Sequence, residues 1–80
     1  MSKADLSPSM REAREFAEKN GGELVRHQGG YWSREGWRQG DGVRYFSAST
    51  VHALVSRGVA VYSEHVDGRS GRFPVRAKLV

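Results

Sequence analysis

The sequence predicts an α+β domain in which a helix, two or three short strands, a second helix and a C-terminal β-hairpin follow one another. Two segments each combine a capping residue, apolar side chains at helical spacing and a stop glycine, which indicates two helices. After the second stop glycine the apolar residues alternate with polar ones, as they do in half-buried strands. Seven of the ten glycines fall within residues 21–42, and a helix there would lose about 1 kcal/mol at each of them relative to alanine.

The first helix is predicted to begin at Pro8 and to end before Gly21. Ser7 precedes it as an N-cap, and a proline at the first helical position loses no hydrogen bond because that N–H would be unpaired in any case. Apolar side chains recur along one face, while opposite charges four residues apart occupy the other. Residues 1–6 carry no such pattern, so we expect a flexible N-terminal arm followed by a single domain over residues 7–80.

The glycine-rich middle of the chain contains three β-like runs, ELVRH, GGYWS and VRYFS. Between the last two runs lies REGWRQGDG, which has no apolar periodicity and is predicted to form a loop or an exposed hairpin tip. We expect Trp32 and Tyr45 to complete a core that is short of large residues. Trp37 lies between glycines without an apolar neighbour in sequence, so an exposed Trp37 would be a candidate anchor for a partner.

The second helix is predicted in STVHALVSRG, with Ser47 or Ser49 as the N-cap and Gly58 as the stop. The strands VAVYSEHV and RFPVRAKLV then pair across the turn DGRSG, whose residues tolerate positive φ. Pro74 lacks the N–H that a sheet ladder needs, which places the last strand at an edge. The predicted core consists of Met10, Ala13, Phe16, Ala17, Leu24, Tyr45, Val51, Leu54, Val55, Val61, Phe73, Val75 and Leu79.

The charge of the chain is unevenly distributed. Its formal net charge is +4, made up of −1 over residues 1–25 and +5 over residues 26–80, and ten of its thirteen basic residues are arginine. Arginine pairs with phosphates and with acidic protein surfaces alike, so the excess of positive charge predicts an anionic partner without identifying which one. Cysteine is absent, which excludes disulfides and thiolate metal sites, and no apolar run is long enough to cross a bilayer. We therefore expect a cytoplasmic protein without a membrane partner.

The stretch STVHALVSRGVAVYSEHVDGRSGRFPVRAKL resembles the C-terminal half of the winged helix-turn-helix family, and the similarity extends over residues 47–79. In that family such a stretch supplies a recognition helix and a basic wing, so the resemblance implies binding of duplex DNA through helix 49–57 and wing 67–72. The whole chain is also similar, in length and general character, to small uncharacterised phage and prophage proteins, which implies a phage or prophage regulator. Short DNA-binding domains often act as symmetric pairs, so a homodimer belongs to this hypothesis. The candidate nucleic-acid contacts are Ser49, Thr50, His52, Ser56, Arg57, Arg69, Arg72 and Arg76.

Simpler structural roles compete with these assignments. Ser49 and Thr50 would serve as capping residues alone, the arginines of the turn would be solvated, and basic residues on an edge strand deter aggregation. The helix that supports the recognition helix in the family also has no counterpart here, because that position reads REGWRQGDGVRYFSA. The alternative function is a protein-binding module, for instance a phage-encoded inhibitor of a host complex such as an anti-CRISPR, that uses Trp37, Arg34 and Arg38.

Patterns typical of catalysis and metal binding are lacking. The three histidines are 25 and 13 residues apart and have no ligand spacing, and Glu64 and His65, as strand neighbours, point to opposite faces. No serine stands in a nucleophile motif, and no glycine-rich phosphate loop follows a strand. We therefore expect neither an enzyme nor a bound cofactor or metal.

Overall fold

In the computed structural model, which describes residues 6–80, two helices pack on one face of a four-stranded antiparallel sheet. The elements are α1 (Pro8–Lys19), β1 (Glu23–His27), β2 (Tyr31–Ser33), α2 (Ala48–Ser56), β3 (Ala60–Gly68) and β4 (Gly71–Leu79). The strand order is β2-β1-β4-β3, so the C-terminal hairpin joins the first strand through β4. The α+β class and the predicted order of elements are confirmed.

Serine caps set the start of both helices. In α1, the Ser7 side chain accepts the backbone N–H of Met10 at 3.3 Å, as predicted. In α2, Ser47 rather than Ser49 is the N-cap, and it accepts the N–H of Thr50 at 3.3 Å. Each cap satisfies a backbone donor that has no partner inside the helix, a contribution of about 1 kcal/mol.

The end of α2 is formed by Gly58, whose φ of 76° lies in the left-handed region. The N–H groups of Gly58 and Val59 donate to the carbonyls of Val55 and Leu54, both at 3.0 Å. This pair of hydrogen bonds is a Schellman motif, which satisfies carbonyls that the last helical turn leaves open. The reversal allows β3 to begin at Ala60.

The core lies between the two helices and the sheet. Its buried members are Leu6, Met10, Ala13, Ala17, Leu24, Trp32, Phe46, Val51, Leu54, Ala60 and Ala77. Phe16, Val55 and Leu79 pack against this core while remaining partly exposed, whereas Phe73 and Val75, also predicted for the core, are half-buried outside it. Leu6 was assigned to the flexible arm but is buried, so the folded domain begins before residue 7; residues 1–5 lie outside the part that the structure describes.

Two residues that the sequence placed in the core, Tyr45 and Val61, are instead 48% and 49% exposed. Val61 follows the buried Ala60, and successive strand residues point to opposite faces, so Val61 faces away from the helices. Tyr45 precedes Phe46, and Phe46 fills the core position predicted for Tyr45. In β3 the alternation was therefore predicted correctly with its register displaced by one residue, whereas in the run before α2 the buried position was assigned one residue too early.

β4 is an interior strand, so the prediction that Pro74 marks an edge strand is wrong. The sheet accommodates the proline because β1 pairs with β4 only from Arg76 to Lys78. Closer to the tip, β4 pairs with β3 alone among the described strands, and Pro74 lies opposite His65. The missing N–H therefore falls where β4 has one neighbour instead of two.

Arg76 on β4 binds three carboxylates that come from three separate segments. Its Nη1, Nη2 and Nε atoms lie 2.7, 3.0 and 2.9 Å from carboxylate oxygens of Glu23, Glu35 and Glu64. These hydrogen bonds, that to Glu64 above all, raise the pKa of Arg76 above its ordinary value. We call these four residues the Arg76 cluster. Arg76 was predicted as a nucleic-acid contact, but its donors hold β1, β3 and the segment after β2 against β4.

Replacing Arg76 with glutamine is expected to lower the free energy of unfolding by about 1–3 kcal/mol, because three carboxylates lose their shared donor and repel one another. Urea denaturation at pH 7 measures the difference. Lys78→Gln is the matched control, since it removes a positive charge from an exposed position of the same strand, and we expect it to change stability by no more than about 0.5 kcal/mol. Equal losses in the two variants would show that only net charge matters.

Candidate nucleic-acid interface

The helix α2 presents an uncharged face to solvent, as predicted. Val51 and Leu54 are fully buried, whereas Ser49, His52 and Ser56 are exposed. Because these outward side chains are short and uncharged, the helix can approach another surface closely, and the imidazole offers both a donor and an acceptor. The face is suited to close contact with a polar surface.

The hydroxyl groups at the start of α2 form a small capping network. The Oγ atom of Ser47 lies 2.9 Å from the Oγ of Ser49 and 3.1 Å from the Oγ1 of Thr50. Both hydroxyls therefore have partners within the protein, and the simpler prediction, that Ser49 and Thr50 serve the cap, accounts for them. At the other end, Arg57 is the C-cap residue, and its backbone N–H donates to the carbonyl of Ala53 at 3.1 Å.

The hairpin tip, which we define as residues 67–72, is the second exposed feature. The register of β3 and β4 continues up to a two-residue turn formed by Arg69 and Ser70. All residues of the tip are exposed. Within residues 6–80, which include Asp67 of the tip itself, no carboxylate forms an ion pair with Arg69 or Arg72. The two guanidinium groups are therefore available to an external anion.

The base of the hairpin tip is stiffened by an aromatic ring. A Cβ atom on Gly68 would lie 2.5 Å from Cε2 of Phe73, so the ring packs across the glycine backbone. The guanidinium carbon of Arg26 lies 4.7 Å from the centroid of the same ring, a distance typical of a cation–π contact. These contacts connect the base of the tip to β1.

Ion pairing concentrates positive charge outside the Arg76 cluster. That cluster combines one guanidinium with three carboxylates and carries a formal −2, so the other residues must carry +6 to give the net charge of +4. Two further glutamates are paired, Glu12 with Arg44 at 2.6 Å and Glu18 with Arg14 at 3.6 Å. Five glutamates thus form ion pairs, and the tip arginines belong to the residues outside the Arg76 cluster that together carry the +6.

Trp37 is 5% exposed. It therefore cannot serve as the exposed anchor for a partner that its position between glycines suggested. Its indole Nε1 donates to the carbonyl of Val43 at 3.1 Å. Its ring centroid lies 5.3, 5.9 and 5.5 Å from those of His27, Tyr31 and Tyr45, and we call these four rings the aromatic cluster. His27 and Tyr31 are cross-strand partners on the sheet face opposite the helices. The cluster is therefore separate from the main core.

Residues 34–45 form a loop, which includes the predicted loop 34–42 and extends into the run VRYFS, and Asp41 organises it. The Asp41 carboxylate accepts the backbone N–H groups of Arg38 at 3.2 Å and of Val43 at 3.1 Å. The Val43 N–H is the main reason that the pKa of Asp41 lies below its ordinary value, and the nearby arginines add to the effect. The side chains of Arg34 and Arg38 remain exposed on this loop.

The run VRYFS, predicted as a third strand, pairs with the sheet at one point only. Phe46 and Trp32 form an isolated antiparallel bridge, with N···O distances of 2.8 and 2.9 Å. Two residues before Phe46, the carbonyl of Arg44 accepts a hydrogen bond from the buried Ser33 hydroxyl of β2 at 2.6 Å. Side-chain hydrogen bonds thus replace a regular ladder along this segment.

Among residues 6–80, no three His, Cys, Asp or Glu side chains are grouped in a way that could hold a metal ion. Neither helix in this part of the chain is long and apolar enough to span a membrane. Comparison with protein-family models, curated proteins and solved structures finds no match.

Proposed function

We propose that the protein binds duplex DNA, with α2 facing the major groove and the hairpin tip contacting the phosphate backbone. The observation that carries the proposal is an uncharged helix face in the same small domain as two tip arginines that have no carboxylate partner in the described chain. His52 and Ser56 would offer hydrogen-bonding groups to base edges, and Arg69 and Arg72 would neutralise phosphates. A regulatory role in a phage or prophage, in the cytoplasm, is part of the same proposal.

The residues preceding α2 change how such a domain would dock. β2 and the loop 34–45 occupy the place of the supporting helix of winged helix-turn-helix proteins. That helix normally contacts the DNA backbone, so here the hairpin tip would have to supply most phosphate contacts. Ser49 and Thr50 would contribute mainly by holding the first turn of α2 in place.

Salt dependence tests the proposal. Duplex of random sequence is titrated with the protein between about 50 and 200 mM salt, and the logarithm of the binding constant is plotted against the logarithm of the salt concentration. Removing both tip arginines in the double variant Arg69→Ala/Arg72→Ala is expected to reduce the magnitude of the slope by about 1.8, since each phosphate contact contributes about 0.9.

The control for this experiment is Arg11→Ala/Lys19→Ala, which removes the same charge from exposed positions of α1. We expect this pair to leave the slope within about 0.5 of the unmodified protein, because long-range effects of surface charge are screened. Absence of duplex binding at the lower salt concentration, or equal slopes for the two double variants, would contradict the proposal.

The alternative function, a protein-binding module, was based on an exposed Trp37. Trp37 is buried beneath its own loop and cannot insert into a partner. Arg34 and Arg38 remain exposed, but isolated surface arginines define no protein interface. Nucleic-acid binding is the function that the described geometry supports best.

A further inference from the structure

We infer that the aromatic cluster forms a second nucleic-acid site, which stacks unpaired bases of a single strand on Tyr45 and Tyr31. The site is an open groove on the sheet face opposite the helices, made of two adjoining depressions of about 680 and 440 Å³ that share Tyr31, Trp37 and Gln39. This inference goes beyond the proposed duplex contact and does not depend on it, because it uses none of the residues of α2 or of the hairpin tip.

The Tyr45 ring of the groove is exposed yet held in place by its neighbours. Tyr45 is 48% exposed, while its centroid lies 5.0 Å from that of Tyr31 and 5.5 Å from that of the buried Trp37. The Tyr31 ring in turn packs on Gly29, where a Cβ would lie 2.9 Å from Cε2. A ring that is fixed before binding loses little conformational freedom when a base stacks on it, which is the condition for an effective stacking platform.

The charges around the groove fit a phosphate backbone. Arg38 lines the groove and Arg34 lies on the same loop; both are exposed, and no carboxylate within residues 6–80 forms an ion pair with them. Of the two acidic residues of the loop, Glu35 pairs with Arg76, and Asp41 accepts two backbone N–H groups and lies near both arginines, so the loop carries two free guanidinium groups against one further carboxylate. The loop therefore presents cations beside aromatic rings, which is the combination used by proteins that bind single strands without sequence preference.

The shape and the remaining polar groups select an unpaired strand. Gln28 and Gln39 are exposed at the groove, where their amides can bond base edges. In a duplex the base faces are stacked on one another and cannot reach a protein ring. The groove is open on one side rather than enclosed, so a continuous strand can pass through it, whereas a closed pocket would take only a free nucleotide.

A pair of matched strands tests this site on the full chain. Fluorescence anisotropy compares a short oligothymidylate with the same sugar–phosphate backbone lacking bases. We expect the protein to bind the strand with bases about 5- to 150-fold more tightly, which corresponds to stacking of about 1–3 kcal/mol per base. Tyr45→Ala should remove most of this preference, and Tyr45→Phe should retain it because the ring is preserved.

Three further variants make the result decisive. Val61→Ala, at a similarly exposed apolar position of β3, should leave the preference unchanged. Arg38→Ala keeps every ring and should weaken the binding of both strands to the same extent. The slope of log binding constant against log salt concentration should fall in magnitude by about 0.7. Arg69→Ala/Arg72→Ala should keep the preference for the strand with bases, so loss of the duplex contact and loss of this site are distinguishable. Equal binding of the two strands by the unmodified protein, or an unchanged preference in Tyr45→Ala, would overturn the inference.

Discussion

Truncating Trp37 to alanine is expected to lower the free energy of unfolding by about 3–5 kcal/mol, the usual loss for a buried tryptophan or phenylalanine. The indole is 5% exposed, contacts three other rings and donates a hydrogen bond to the Val43 carbonyl. A domain of 80 residues has a total stability of roughly 4–12 kcal/mol, so this variant would keep little of it. Urea denaturation followed by circular dichroism measures the loss.

Tyr45→Ala is the control for the Trp37 experiment, because Tyr45 belongs to the same cluster but is half exposed. We expect it to cost about 1 kcal/mol or less. If Trp37→Ala proved as mild as Tyr45→Ala, the indole would not be buried under loop 34–45. It would then be available to a partner, as its isolated position between glycines first indicated.

The parts of the fold that could be predicted are those specified by short-range signals. The caps, the apolar stripe of α2 and the stop at Gly58 all lie within a dozen residues, so their pattern can be recognised without knowledge of the tertiary structure. The alternation of β4 around Ala77 and the turn at Arg69 are equally local. For the same reason the outward direction of His52 and Ser56 was predicted correctly.

The features that could not be predicted depend on residues distant in sequence. Arg76 meets Glu64, Glu35 and Glu23 across 12, 41 and 53 positions, and no periodicity connects them. Trp37 packs against aromatic rings of β1 and β2, so its glycine-rich neighbours in sequence wrongly indicated an exposed position. Both cases involve loop 34–45, whose conformation is set by individual side-chain hydrogen bonds and carries no repeating pattern.

Leu54→Ala is expected to lower the free energy of unfolding by about 2–5 kcal/mol, because Leu54 is fully buried at the centre of the inward stripe of α2 and its removal leaves a cavity. The outward positions of the same helix should respond differently. His52→Ala and Ser56→Ala should change stability by no more than about 0.5 kcal/mol, since both side chains are exposed. Thermal and urea denaturation of the three variants provide the comparison.

The same three variants separate stability from binding at α2. Under conditions in which all of them are folded, Leu54→Ala should bind duplex DNA with nearly unchanged affinity, because its side chain faces the core. His52→Ala should weaken duplex binding with little change in stability, because its exposed imidazole is the outward group that can bond a base edge. If His52→Ala destabilised the protein as strongly as Leu54→Ala, α2 would be rotated about its axis relative to the arrangement described above. The face assigned to DNA would then be the one that packs on the sheet.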